Sequence, residues 1–353
     1  MKVSEIPGLG RFGVFIDDVD FFTMSDDQWM EIGKIHLESL VTIIRDTELD
    51  RYSYVHWMKK WGMSRMSFAG TVRQKYPDWD GKVASLIENP NWEDHDKKLI
   101  FAYLNIMERP HLDEAEIIRV MGGRDENGKP MGMFAEGELL WHSNESGNIA
   151  GAPGVALLGL ENTTKSATGF LTTVDYYENV PDSFRKELDE MVLIHNFIPC
   201  KINPGLNEEQ DTLMYSNMVP LPNTEIPMVI KSPGGHKGLH YSFNTVTSIK
   251  DMSEQESNKT LEYIRKGLEK EEYIYDHWYQ QDGDLCLFDN SITQHRRLGE
   301  TTGRLCLRYQ YDYNNLVSEP YIPYEMEPYK SNYIRDINHI IEKLPNAREF
   351  KLP

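Results

Sequence analysis

From Glu138 to about residue 313 the chain is a succession of short apolar runs separated by turn-forming residues, and this pattern leaves few folds open. The runs include GVALLGLENT at 154–163, TGFLTTVD at 168–175, MVLIHNF at 191–197 and PMVIKS at 227–232. They continue with GLHYSFNTV at 238–246, GDLCLFDN at 283–290 and GRLCLRYQYDY at 303–313. Short apolar segments bounded by Gly, Pro, Asn and Asp read as strands. Helical stretches interrupt them at about 182–192 and 253–270. Many short strands with helices between them predict a mainly β architecture, a sandwich or barrel with flanking helices.

The N-terminal third reads differently. Residues 12–20 form a strand, and Ser25 caps a helix whose first turn carries Asp26 and Asp27, where the helix dipole favours acidic groups. Trp29, Ile32, Ile35 and Leu40 recur at roughly helical spacing, and the β-branched run 41–46 reads as a buried strand. Residues 52–115 read as mostly helical, their scattered Trp, Tyr and Met serving as core. A hairpin is expected over 116–134, turning at Asp125-Glu126-Asn127-Gly128. We expect one domain over 1–325, with the helical region around 52–115 as an insertion and 326–353 as a helix-containing C-terminal extension.

Charge removes several functions. Asp and Glu number 56 against 37 Lys and Arg, a formal charge of −19, whereas nucleic acids and anionic membrane surfaces call for a basic footprint. Cys200, Cys286 and Cys306 are an odd set with no C-x-x-C pair, so neither a disulfide framework nor a zinc knuckle is expected. No stretch is apolar enough to span a bilayer, and MKVSEIPGLGRFG lacks the apolar core of a signal peptide. The reading is cytoplasmic, with no nucleic-acid or membrane partner and an unspecified oligomeric state.

Two segments can carry chemistry: ELLWHSNE at 138–145, and GDLCLFDNSITQH at 283–295 followed by RLCLR at 304–308. On a strand, His142 and Asn144 would share a face. With a distant His they would give two imidazoles and an oxygen donor, the facial set of a mononuclear non-haem iron site with positions left open. Arg304, Cys306 and Arg308 would also share a strand face. Guanidiniums pointing into a β core are costly unless they meet anions, and a dicarboxylate suits them. His240, Ser242 and Asn244 would share a third face, as substrate contacts or a buried polar network.

Four stretches together resemble the taurine dioxygenase family and its aryloxyalkanoate and alkylsulfate dioxygenase relatives. They are the opening FGVFIDDVDFFTMSDDQWMEIGKIHLESLVTIIRD, then ELLWHSNES, TTVDYYENVPDSFRKEL and GDLCLFDNSITQHRRLGETTGRLCLRYQ, covering about residues 10–315. The resemblance implies a double-stranded β-helix, or jelly roll, with Fe(II) and 2-oxoglutarate as cofactors. It implies oxidation of a small organic substrate by O2, with release of succinate and CO2. His142 and His295 would ligate iron, Arg308 would clamp the distal carboxylate of 2-oxoglutarate, and Arg304 would lie near its metal-bound end. Thr168 or Thr172 would supply the hydroxyl that relatives direct at the co-substrate, Leu171 standing where they often place it. Trp141 would pack beside the first ligand, at the edge of the substrate region.

The family places Asp or Glu two residues after the first His, and this chain has Asn144. Three readings stay open: Asn144 ligates the metal; Glu145, brought round by a bulge, or water fills the position; or the site is metal-poor. His240 is a further competing ligand. A non-catalytic jelly roll that binds a ligand is the alternative to an oxygenase, and a halogenase-like variant is the lesser one.

Overall fold

The structure, a computed structural model, describes residues 1–62, 78–88, 117–128, 134–144, 152–196 and 224–319, with single residues 76, 97, 100, 131, 132, 146 and 321. Its strands are β1 (Lys2–Ile6), β2 (Gly10–Asp17), β3 (Val41–Ile44), β4 (Ile118–Met121), β5 (Leu139–His142), β6 (Gly154–Glu161), β7 (Ser166–Thr172) and β8 (Val192–His195). They continue with β9 (Thr224–Pro227), β10 (Val229–Lys231), β11 (Lys237–Leu239), β12 (Val246–Ile249), β13 (Ile274–Trp278), β14 (Leu285–Asp289), β15 (Thr293–Gly299) and β16 (Leu305–Tyr311). The helices are α1 (Asp26–Ser39), α2 (Arg51–Lys59), α3 (Val83–Glu88), α4 (Val174–Asn179), α5 (Asp182–Glu190) and α6 (Glu254–Leu268). The molecule is thus mainly β with few helices.

A seven-stranded sheet runs β1-β2-β3-β14-β6-β16-β4, and a four-stranded sheet runs β13-β7-β15-β5. Only β2 and β3 pair in parallel, among the described strands, and α1 is the crossover that a parallel pair requires. The start of α1 is as the sequence predicts. Ser25 Oγ accepts from Gln28 N at 3.3 Å and Gln28 Oε1 accepts from Ser25 N at 2.8 Å, a reciprocal capping box.

The central strands of the large sheet, β3, β14 and β6, are buried on both faces, which is why they read as unbroken apolar runs. Along β14, Leu285 and Leu287 join the cluster under α1 and α2, whereas Cys286 and Phe288 turn the other way to meet Phe170 of the four-stranded sheet. β16 obeys the same period of two: Leu307 and Tyr309 lie against the helices, and Cys306 lies in the layer between the sheets. A third cluster backs the four-stranded sheet, with Leu171 and Trp141 packed against Tyr176, Leu188, Leu261 and Ile264 of α4, α5 and α6.

Three expectations need correction. The run 238–246 is not one strand: β11 ends at Leu239, residues 240–245 form a turn, and β12 begins at Val246. There Thr245 N and Val246 N both bond to Ser242 O, closing the chain on itself. The hairpin over 116–134 has its turn, with Gly128 N bonded to Asp125 O at 2.9 Å, but β4 pairs with β16 instead of with a return strand among the described residues. The strand at 41–46 stops at Ile44. Most of the helical region 52–115, and the extension 326–353, lie outside the described residues. No described helix is long and apolar enough to cross a membrane.

His36 shows how the helical layer is fixed to the large sheet. It is 1% exposed, its Nδ1 lies 3.1 Å from Thr42 Oγ1, and its Nε2 lies 2.8 Å from Tyr313 Oη. Burial pulls its pKa down from 6.5 to about 3. The folded state therefore refuses a proton that the unfolded chain accepts. The stability it contributes is complete above pH 6.5 and is lost as pH falls toward 3, by up to about 1.4 kcal/mol per pH unit. Thermal melts should fall steeply on acidification through this window, and His36→Gln should reduce the slope by about one proton; an unchanged slope would show that His36 takes up its proton in the folded state.

Candidate active site

Two imidazoles meet where β5 and β15 run side by side. His295 is directly opposite His142 in the ladder, so both rings project from the same face, and their centroids are 4.1 Å apart. His142 Nδ1 donates to Leu140 O at 2.7 Å, which fixes its tautomer and leaves the Nε2 lone pair available. His295 packs against Phe288 at 4.7 Å, and its Nδ1 is buried without a partner. Burial is the main cause that keeps both neutral, with the nearby Arg308 charge adding to it: His142 falls to about 4, and His295 falls well below the usual range. Neutral imidazole is the form that ligates metals.

Asn144 arrives by a different route from the one expected. β5 ends at His142, so Asn144 stands on a turn, not on a strand. Asn290 grips that turn: Asn144 N donates to Asn290 Oδ1 at 2.8 Å, and Asn290 Nδ2 returns a bond to Asn144 O at 2.8 Å. Ser143 adds a bond from its Oγ to Thr293 O at 3.2 Å and one from its N to Ser242 Oγ at 3.0 Å. The side-chain oxygen of Asn144 accepts from Arg308 Nη1 at 2.8 Å. Because a guanidinium only donates, this contact settles which end of the amide is oxygen. Asn144 Nδ2 is buried with no partner.

Arg304 lies deeper between the sheets. It is 3% exposed, its Nη2 is 3.5 Å from Thr168 Oγ1, and its guanidinium carbon sits 5.7 Å from the centre of the Tyr279 ring. Thr168 Oγ1 is in turn 2.9 Å from Tyr279 Oη. Arg304 Nε has no hydrogen-bond partner, and no described carboxylate forms an ion pair with it. Its neighbour Arg297 is accounted for within the protein, donating to the carbonyls of Phe134, Glu136 and Gly137. In position the two arginines are the reverse of the expectation: Arg308 stands at the imidazole end beside Asn144, and Arg304 stands beside Thr168.

The remaining predicted residues divide. Trp141 faces away from His142, as adjacent strand residues must, and lies in the outer cluster with Arg296 4.3 Å over its ring; it does not line the site. Ser242 and Asn244 bond to each other within the 240–245 turn, and Ser242 braces the backbone of Ser143. His240 does not join the imidazole pair as a third ligand: its Nδ1 donates to Ser291 O at 2.7 Å and its Nε2 is 3.4 Å from Ser146 Oγ. Glu145 lies outside the described residues.

Sequence reasoning passed over one group. Thr245 Oγ1 donates to Ser146 Oγ at 3.2 Å, so the His195 Nδ1–H must donate to Thr245 Oγ1, 3.0 Å away. His195, Thr245, Ser146 and His240 thus form one chain of hydrogen bonds that starts two residues beyond Asn144. It ends at a buried His195 Nε2 with no partner. His195 sat in the run 191–197, where the apolar neighbours hid it; the His itself was the only signal.

No group of three or more His, Cys, Asp or Glu suited to a metal occurs among the described residues. The donors that do meet are the two neutral imidazoles; the amide oxygen of Asn144, two residues beyond His142, accepts from Arg308. Two imidazoles and an amide oxygen are donors that fit a divalent cation of the first transition row, with no anionic ligand among the described residues.

The architecture matches solved structures. One is AAD-2 in complex with Mn(II) and N-oxalylglycine, 15% identical with a TM-score of 0.59, covering 91% of this chain and all of that one. A taurine dioxygenase from Burkholderia xenovorans is 16% identical with a TM-score of 0.57, covering 88% of each chain. A putative alpha-ketoglutarate-dependent 2,4-D dioxygenase from the same organism is 16% identical, with a TM-score of 0.56, covering 88% of this chain and 98% of that one. At such identities the likeness establishes the fold alone. No curated protein matches in sequence. The family model described as taurine catabolism dioxygenase TauD, TfdA family matches residues 5–310, and the chain belongs to that family.

Proposed function

We propose that this protein is an iron(II)- and 2-oxoglutarate-dependent oxygenase acting on a small organic substrate, built on a double-stranded β-helix. The observation that carries the reading is Arg304. A guanidinium buried between two sheets, with no carboxylate partner among the described residues, is a site waiting for an anion. Arg304 and Thr168 would receive the distal carboxylate of 2-oxoglutarate, the guanidinium by charge-assisted bonds and the hydroxyl by one further bond. His142, His295 and the oxygen of Asn144 would hold the metal at the other end. Arg308 keeps the amide oriented and adds positive charge where the metal-chelating end of the co-substrate would lie. When bound, iron and 2-oxoglutarate would supply the oxidising chemistry, consuming O2, releasing succinate and CO2 and hydroxylating the substrate.

The chain's own contribution is placement and exclusion of water. Phe170 and Phe288, both buried, flank His295 and keep solvent from that side. The hydrogen-bonded chain from His240 to His195 offers a substrate a polar wall with one acceptor to spare.

The alternative, a non-catalytic anion-binding protein on the same scaffold, draws support from the neutral Asn144. Succinate release separates the two, since only the oxygenase consumes 2-oxoglutarate. Arg304→Gln should weaken 2-oxoglutarate binding by about 10- to 100-fold, the loss of a charged hydrogen bond worth about 1.5–3 kcal/mol. Calorimetric titration would measure it, and unchanged affinity would remove Arg304 from the co-substrate site. Thr168→Val should cost less, about 3- to 10-fold, as a neutral hydrogen bond of about 0.5–1.5 kcal/mol does; a larger loss than for Arg304→Gln would mean that the hydroxyl is the main anchor.

A further inference from the structure

We infer that Gln310 recognises the substrate through its carboxamide, and that the substrate carries a matching amide group, a primary carboxamide or a lactam. This rests on the proposed oxygenase reading and adds to it the chemical class of what is oxidised.

Gln310 lies on β16, where alternate residues take opposite faces. Tyr309 and Tyr311 pack in the cluster under the helices, so Gln310 turns the other way, to the face from which Arg308 reaches Asn144. In the ladder Gln310 is opposite Val155, and Val155 is opposite Phe288 on its other side. Val155 and Phe288 both belong to the layer between the sheets, and the Phe288 ring is 4.7 Å from that of His295. Two strand spacings, about 10 Å, therefore separate the backbone of Gln310 from that of Phe288. A small molecule seated on the Gln310 amide would span that distance to the imidazole pair.

Gln310 is 2% exposed, and neither its Oε1 nor its Nε2 has a hydrogen-bond partner. Among the described residues it is the side chain left with two such atoms, and exchanging the two ends of the amide cures neither. A buried amide without partners costs stability, and an apolar side chain of similar size would avoid that cost. A carboxamide offers an acceptor and a donor side by side in one plane. A ketone or a carboxylate satisfies the donor alone, an ammonium satisfies the acceptor alone, and a single hydroxyl cannot face both ends in line. A primary amide or lactam, with N–H and C=O on one edge, satisfies both at once, as adenine does when it pairs with a glutamine. Such a pair carries no net charge, so it needs no counter-ion between the sheets.

The test uses the full-length protein and three five-membered rings: 2-pyrrolidinone, which has both groups, N-methyl-2-pyrrolidinone, which lacks the donor, and cyclopentanone, which has the carbonyl alone. Ligand-detected NMR titration reads their affinities. 2-Pyrrolidinone should bind at least about 10-fold tighter than either analogue, and Gln310→Met should remove that preference. The same variant should melt at the wild-type temperature or about 1–3 °C above it, since it deletes unpaired polar atoms. A lowered melting temperature would show the amide already satisfied by ordered water, and overturns the inference. So does a wild-type protein that binds the three rings equally or not at all, or a preference that persists in Gln310→Met. Titration with N-oxalylglycine in the presence of Mn(II) tells this failure from that of the oxygenase reading. If N-oxalylglycine binds in an Arg304-dependent way, the co-substrate site stands although the substrate class falls. If it does not bind but the preference for 2-pyrrolidinone depends on Gln310, the amide site stands and the oxygenase reading falls.

Discussion

The pairing of β5 with β15 is the constraint from which the site follows. Those strands place His142 and His295 opposite each other, and β7 on the other side of β15 brings Phe170 into register with His295. The face they share looks across at β16 and β14 of the large sheet. A slip of one residue in either strand would turn an imidazole outward into the cluster that now holds Trp141 and Leu171. Burial helps to hold the register, because His142, His295 and Phe170 are buried on the face between the sheets while Trp141 and Leu171 are buried in the cluster with α4, α5 and α6.

Within that frame the polar groups are arranged with few redundancies. Asn290 holds the turn that carries Asn144, Ser143 ties the same turn to β15, and Ser242 holds it from the 240–245 turn. Asn144 has little freedom left except at its amide, and Arg308 takes that. Among the unpartnered buried atoms, Asn144 Nδ2, His295 Nδ1, Arg304 Nε and His195 Nε2 are spread from the imidazole pair to the arginine and to the polar chain beyond Ser146. Buried polar atoms are seldom left unsatisfied in a finished protein interior. These four accord with a site completed by what it binds.

Replacing a carboxylate with Asn144 changes the electrostatics more than the shape. An amide keeps an oxygen in place and can accept from Arg308 as a carboxylate would, but the local sum of charge becomes more positive. The four-residue spacing of Arg304 and Arg308 then matters. It puts both guanidiniums on the inward side of the β16 segment, at different depths, one facing Thr168 and the other facing Asn144.

Strand content, the helix capped at Ser25, and the segments that carry His142, His295, Arg304 and Arg308 were legible in the sequence, because apolar period, capping chemistry and turn residues are local properties. Which guanidinium stands at which end was not legible: it depends on the stagger between β16 and β6, where a bulge at Leu305 and Cys306 shifts the register. Nor could local pattern tell that 238–246 breaks into a turn, or that Trp141 is outside and His195 inside, since these are decided by which face packs against which neighbour. The sequence alone determined the chemical groups and the order in which the chain presents them. Their convergence, and the neutrality that burial imposes on the imidazoles, belong to the tertiary structure, because only packing brings residues more than a hundred positions apart together and takes the water away.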